Sequence, residues 1–259
     1  MKNINKYITE YIVKKKLDKP INSEHNYIPR TKDELIENIE ELLNEDIYNF
    51  NCIDTSKITD MSDLFYNSRF ENINIEVSNW DVSNVTNMSY MFMHCKNFNC
   101  DLSNWDVSKV TNMQNMFYNC KKIDCDLSKW NVSNVTNMEY MFCNCVKFDY
   151  DLSNWDVSKV TNMKYMFANC SKFTGKGLEN WDVSNVTNMK GMFYYCENFD
   201  CNLFDWDVNN VENMEDMFTW CNNFTGKGLE NWDVSNVKFM NDIFYNCLSL
   251  KNKPSWYKK

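Results

Sequence analysis

The 259-residue sequence predicts an α/β repeat solenoid: eight stacked units, each a strand plus a short helix, forming a parallel sheet behind an N-terminal helical cap. Three observations carry that expectation. The string "NWDVSNVTNMSYMF" at 79–92 returns six more times in nearly the same spelling. Its tryptophans, Trp80, Trp105, Trp130, Trp155, Trp181, Trp206 and Trp232, are separated by 25, 25, 25, 26, 25 and 26 residues, a fixed period that marks a repeat array. Within each copy the apolar spacing changes from two to three and four.

Taken in chain order, residues 1–30 read as an N-terminal helix and linker. Ile4, Tyr7, Ile8, Tyr11 and Ile12 have helical spacing, Lys14, Lys15 and Lys16 follow, and the polar stretch from 17 to 30 holds Pro20 and Pro29. Docking on the array, a tether to a partner and an oligomer contact are all open to that helix. Residues 31–51 form the helical cap: Thr31 is placed to cap a helix with Glu34 three residues on, and Leu35, Ile36, Ile39, Leu42 and Leu43 share one face.

The repeats occupy 52–250, counting a degenerate first copy, "IDTSKITDMSDLF" at 53–65, with Ile53 in the tryptophan place and Leu64 in that of the second methionine. In the copy around Trp105 the inward candidates are Leu102, Trp105, Val107, Val110, Met113, Met116, Phe117, Cys120 and Ile123. Leu102-x-x-Trp105-x-Val107 has the L-x-x-L-x-L form of a leucine-rich repeat, and its alternation predicts a short strand. From Val110 the steps of three and four predict a short helix capped by Thr111, with a capping box at Thr136 to Glu139 in the next copy. One such unit buries too little apolar surface to offset the ordering of its backbone, so stacking has to supply the rest. Residues 251–259 close the stack as a C-terminal cap, where Pro254 interrupts the pattern and Trp256 falls near the next tryptophan place.

Composition narrows the function. Lys plus Arg number 27 against 36 Asp plus Glu, a net charge of −9 without a basic stripe, which argues against a nucleic-acid partner. No apolar run reaches the length of a membrane span. "MKNINKYITEYIVKKKLDK" is interrupted by Thr9 and Glu10 and lacks the apolar segment of a signal peptide, so the expected location is cytoplasmic. The 12 cysteines follow the period: Cys95, Cys120, Cys145, Cys170, Cys196, Cys221 and Cys247 share one place, Cys100, Cys125 and Cys201 another. They are expected to be reduced and buried, with Cys143, outside both rows, the exposed and reactive one. With His25 and His94 the only histidines, neither a zinc site nor a catalytic constellation is expected, and no cofactor. "FTGKGLEN" at 173–180 and 224–231 lacks the spacing of a phosphate loop and reads as a longer turn using glycine for positive φ.

Two rows remain as candidate contact surfaces for a partner, expected to be another protein. Asp81, Asp106, Asp156, Asp182, Asp207 and Asp233, with Asn131 breaking the row, should line an exposed concave face, either engaged with local turn amides or free for a ligand. Tyr90, Tyr140, Tyr165, Tyr195 and Trp220, with Tyr118 and Tyr194, fall on the varied outer face, where exposed aromatics favour protein contact.

At "NWDVSNVTNMSYMF", continued by Cys95 and Phe98, the sequence resembles the BspA-like leucine-rich-repeat surface proteins, in the branch known as a mycoplasma-lipoprotein-associated domain of unknown function. The resemblance covers about 52–250. It implies a leucine-rich-repeat-like solenoid and a role in adhesion or protein recognition at a cell surface. The other expected role is a structural component of a surface layer or phage virion, attached through the N-terminal helix.

Overall fold

The structure, a computed structural model, describes residues 26–66 and 68–257. The helix expected at 4–13, most of the linker after it and His25 lie outside these residues. The first element is α1, Lys32–Asn44, whose N-cap Thr31 accepts the Glu34 N–H through its Oγ1 at 3.2 Å. Asp33 and Glu34 sit in the first turn, where the helix dipole favours negative charge. Glu34 also accepts the Arg30 N–H at 2.6 Å. Leu35, Ile39 and Leu42 are buried, while Ile36 and Leu43 flank them half-buried.

Beyond α1 the copies lie one on the next as rungs. Single-residue parallel bridges run Asp60, Asn87, Asn112, Asn137, Asn162, Asn188, Asn213 and Phe239, each partner one copy further along. The core between them is columnar. Phe65, Phe92, Phe117, Phe142, Phe167, Phe193, Phe218 and Phe244 stack rung on rung with centroids 5.4 to 6.0 Å apart. Each repeat indole is buried and donates its Nε1–H to a carbonyl one copy back, as Trp105 does to Val77 at 3.2 Å and Trp155 to Leu127 at 3.0 Å. Trp256 does the same to Leu229 and stacks on Trp232 at 6.2 Å, so the tryptophan column continues past the seventh phrase. Cysteine thiols form a further column, Cys120 donating to the Phe92 carbonyl at 3.0 Å and Cys170 to that of Phe142 at 3.0 Å.

Local geometry departs from the expected strand-then-helix unit. Trp105–Val107 forms no strand; the bridge falls at Asn112. The expected helix from Val110 is a run of turns, and Thr111 is no cap, because its Oγ1 donates to the Thr86 carbonyl at 3.1 Å. The reason lies in two left-handed residues per copy, Asn115 (φ 56°) and Asn119 (φ 62°) in this one. Only scattered single residues tolerate that conformation, and two within five positions break an α-helix.

The run Met-x-x-Met-Phe-x-x-Cys uses its backbone in two alternating ways. The N–H groups of Met113, Asn115, Phe117 and Asn119 donate forward to the carbonyls of Asn137, Glu139, Met141 and Cys143. Those of Met116, Tyr118 and Cys120 close turns onto Met113, Asn115 and Phe117 within the rung. Asn112 completes the set by accepting the Gln114 N–H at 3.0 Å through its side chain. A peptide group that accepts from the rung behind therefore donates to the rung ahead, in four columns that all point the same way. In an ordinary sheet successive strand dipoles cancel; here the intervening peptides lie in the rung and the four columns add.

The longer copies take up their extra residue at one corner. Gly175, Gly177, Gly226 and Gly228 have φ between 79° and 89°, as the sequence suggested, and lead into short 3-10 turns at Leu178–Asn180 and Leu229–Asn231. A Cβ on Gly177 would collide with the backbone nitrogen of Ser153.

Candidate functional site

The aspartate row is exposed at every position, and each carboxylate is engaged locally. Asp81, Asp106, Asp156, Asp182 and Asp233 accept the N–H two residues on, from Ser83, Ser108, Ser158, Ser184 and Ser235, at 2.9 to 3.0 Å. Asp207 does so from Asn209 at 3.0 Å, and Asn131, the break in the row, from Ser133 at 3.2 Å. These are Asx turns, which an amide oxygen closes as well as a carboxylate. Bonds from Ser108 and Ser158 hold Asp106 and Asp156 below the usual carboxylate range, and Ser235 does the same for Asp233. The side chains are turn-formers first; their outer oxygens face solvent.

The aromatic residues are arranged differently. A continuous ribbon of rings crosses all eight rungs: Tyr66, His94, Tyr118, Tyr140, Tyr165, Tyr194, Tyr195, Trp220 and Tyr245. Tyr140 and Tyr165 stack at 5.0 Å and 17°, as do Tyr195 and Trp220 at 5.0 Å and 18°; the remaining contacts are edge-on or tilted at 5.1 to 6.2 Å. Tyr118 through Trp220 are half-buried, with the ends of the ribbon, Tyr66 and Tyr245, exposed. Burial raises the pKa of Tyr118, Tyr140, Tyr165 and Tyr194, keeping their hydroxyls protonated donors at neutral pH.

Several sequence positions cooperate to build this path. Gly191 makes room for it, since a Cβ there would come within 2.0 Å of the Tyr165 ring. Tyr90, expected on the same surface, shares the backbone place of Tyr140 and Tyr165, but Asn115 in the next rung offers it no ring to stack on. Flanking charges are paired with one another: Lys164 with Glu139 and Lys190 with Glu215, both at 2.8 Å, while Lys164 also lies 5.3 Å from the Tyr140 ring. Tyr66, His94 and Tyr245 were not singled out by sequence, because the ribbon changes place within the copy from rung to rung and no single repeat position spells it.

Burial overturns one expectation about reactivity. Cys143 is 4 % exposed, and its thiol is pushed up to about 12 by desolvation, so it is an inert core group. Cys52 and Cys247 are the two half-buried cysteines, and all 12 are unpaired. Among the described residues no helix is long and apolar enough to cross a membrane, and no three His, Cys, Asp or Glu side chains gather as a metal would need.

The family described as "Mycoplasma protein of unknown function, DUF285" matches the chain over 33–151, 105–177 and 167–258. No curated protein matches. Among solved structures, one titled as a TLR13–ssRNA13 complex is similar at 8 % identity and a TM-score of 0.27, over 82 % of this chain and 38 % of its own.

Proposed function

The chain belongs to the Mycoplasma DUF285 family, whose function is unknown, and we propose that it is a non-enzymatic protein-recognition or adhesion module: a leucine-rich-repeat-like solenoid, akin to the BspA-like proteins, that binds through its aromatic ribbon. One observation carries the reading. Tyr140, Tyr165, Tyr195 and Trp220 hold their rings on left-handed residues, φ 52° to 63°, at places where other rungs have Asn115, Asn144 or Asn169. Asparagine enters that conformation more readily than a bulky aromatic. Aromatics kept where asparagine would be easier suit a contact surface, and large half-buried rings are what protein interfaces use as anchors. The negative charge and the locally engaged aspartates place nucleic acid outside this proposal. Twelve unpaired cysteines favour a reducing compartment.

The test exploits the asparagine precedent. Tyr140→Asn, Tyr165→Asn and Trp220→Asn together should lower the melting temperature yet leave the circular dichroism at room temperature unchanged, because each lost half-buried ring, about 2 kcal/mol, is partly offset by relief of a left-handed aromatic costing about 1–2 kcal/mol. The variant should lose the proteins that the wild type retains from lysate of its own cell. Asp106→Asn, Asp156→Asn and Asp182→Asn together should retain them. Identical capture by the ribbon variant and the wild type would sink the proposal.

A further inference from the structure

One corner of the stack is rich in acids, and its copies differ in how those acids are matched. The longer copies bring a cation to it: Lys176 pairs with Asp151 and Lys227 with Asp200, both at 3.1 Å. At the place of Lys176, three residues after the buried Phe173, the shorter copies have Asp101, Asp126 and Asp151. Asp101, Asp124 and Asp126, all exposed, border a cavity of about 480 Å³ that spans two rungs. Each accepts one protein hydrogen through Oδ1: Asp101 from the Ser103 N–H and Asp126 from the Ser128 N–H at 2.9 Å, Asp124 from the Tyr150 hydroxyl at 3.0 Å. Among the described residues no donor lies on their second oxygens. Lys129 stands exposed at the rim, near enough to lower the Asp101 pKa after the bonds from Ser103, yet it forms no ion pair with any of the three.

At the floor of the cavity lies Cys125, 6 % exposed, between Asp124 and Asp126 in the chain. The other thiols of its column are engaged. Cys100 donates to Glu76 at 3.0 Å and accepts the Val77 N–H at 3.4 Å, and Cys201 donates to Glu179 at 3.7 Å. Behind Cys125 the place of Glu76 is taken by Asp101, one methylene shorter and turned to Ser103. Among the described residues the Cys125 sulfur accordingly has neither an acceptor for its hydrogen nor a donor from another residue. Desolvation, with Asp101, Asp124 and Asp126 around it, pushes this thiol up to about 12, so it stays neutral. A buried sulfur with open lone pairs thus lies beneath three carboxylates that can each accept again.

We propose that this cavity binds a guanidinium group, the side chain of an arginine presented by a peptide. Ionised carboxylates only accept, so the occupant has to donate, and three of them against Lys129 alone favour a cation. A metal ion is disfavoured, because no three side chains gather as one would need and the thiol keeps its proton. The acceptors lie on two rungs and on both sides of Cys125. A planar guanidinium directs five donors outward and reaches several of them at once, whereas an ammonium is a single point of charge. Tyr150, half-buried on the next rung, adds an aromatic wall, a contact that arginine makes better than lysine. The cavity shares no residue with the aromatic ribbon and does not depend on it.

The test is a titration of the full chain at low salt, followed by NMR, with N-acetylarginine amide as the probe. It should saturate one site, while N-acetylcitrulline amide, of the same shape without the charge, binds about tenfold more weakly or worse, and N-acetyllysine amide several times more weakly. Free arginine should also bind more weakly, because its α-carboxylate meets the three acids. Asp101→Asn with Asp126→Asn should weaken the probe by about tenfold with unchanged circular dichroism, since Asn202 already closes the same turn on the Phe204 N–H at 3.2 Å. Cys125→Val, with Ile75 as the apolar precedent in that place, should weaken it by about threefold. Asp182→Asn with Asp233→Asn, an equal loss of charge outside the cavity, should leave binding unchanged. Absence of saturable binding overturns the proposal. So does equal binding of the citrulline, lysine or free-arginine probe, an unaffected Cys125→Val, or a loss from the Asp182 and Asp233 pair as large as that from the cavity pair. The ribbon variant should bind the probe as the wild type does, so the two readings fail separately.

Discussion

Removing one indole from the middle of the column should damage the protein more than removing one from its end. Trp155 is 3 % exposed, stacks on Trp181 at 6.4 Å and 2°, lies 6.1 Å from Phe142, and donates to the Leu127 carbonyl at 3.0 Å. Trp155→Ala opens a cavity costing about 3–5 kcal/mol and strands a buried carbonyl at about 1–3 kcal/mol more, so about 5 kcal/mol after partial relaxation. Trp256 makes the same bond and the same stack, but it is half-buried. Trp256→Ala should cost about 2 kcal/mol. Trp155→Phe keeps most of the ring and loses the Nε1 donor, for about 1–2 kcal/mol. Urea titration followed by circular dichroism should order the midpoints wild type, Trp155→Phe, then Trp155→Ala, with Trp256→Ala well above the last. In Trp155→Ala the slope should fall as well, because the rungs before and after position 155 become uncoupled. Equal losses at 155 and 256, or a larger one at 256, would refute a core built of rung-to-rung columns.

Other outcomes follow from the same geometry. All 12 thiols should be free by mass spectrometry without reductant and slow toward a bulky reagent until the chain unfolds, with half-buried Cys52 first to react; several intact rung-to-rung disulfides would refute this. Asp106→Asn, Asp156→Asn and Asp182→Asn together should lower the melting temperature only modestly at neutral pH, equally with calcium or chelator, since Asn131 already closes the same turn; a chelator effect on the wild type alone would show bridging cations instead. The folded-state pKa values of Asp106 and Asp156 are depressed, so their contribution is present above the ordinary carboxylate range and is lost as pH falls below about 4. The triple asparagine variant should accordingly show a flatter melting temperature between about pH 5 and 3 than the wild type. Gly177→Ala, which combines a φ of 89° with a clash against the Ser153 backbone, should cost more than about 2 kcal/mol by urea titration, and a neutral result would refute the corner geometry.

The repeat period and the buried side of each copy were legible because both depend on spacing alone. All nine inward candidates from Leu102 to Ile123 are buried. The start of α1 was legible at Thr31, where a short side chain and the following acids serve only a helix N-terminus. The conformation between Val110 and Cys120 was not, since consecutive turns return apolar side chains to one side at steps of three and four just as a helix does. The distinguishing signal lay at the polar places: Asp63, Asn115, Gly191 and Asp216 in one, Asn119, Asn144 and Asn169 in the other, residue types that accept a left-handed backbone and weaken a helix. Aromatics in those same two places masked the signal. The ribbon was half legible for a related reason: its members come from three positions of the copy, and their adjacency is set by how rungs overlie.

The glycine corner has a consequence for how copies of unequal length can share one core. One added residue at 174–180 leaves the Asn162 to Asn188 bridge, the tryptophan column and the phenylalanine column in step with the shorter copies. Length at this corner is thus uncoupled from alignment everywhere else. A copy with an altered corner can therefore sit beside an unaltered one without disturbing the columns they share. For engineering, 175–177 and 226–228 are places to splice in a foreign loop, because the backbone there already accommodates a change of length.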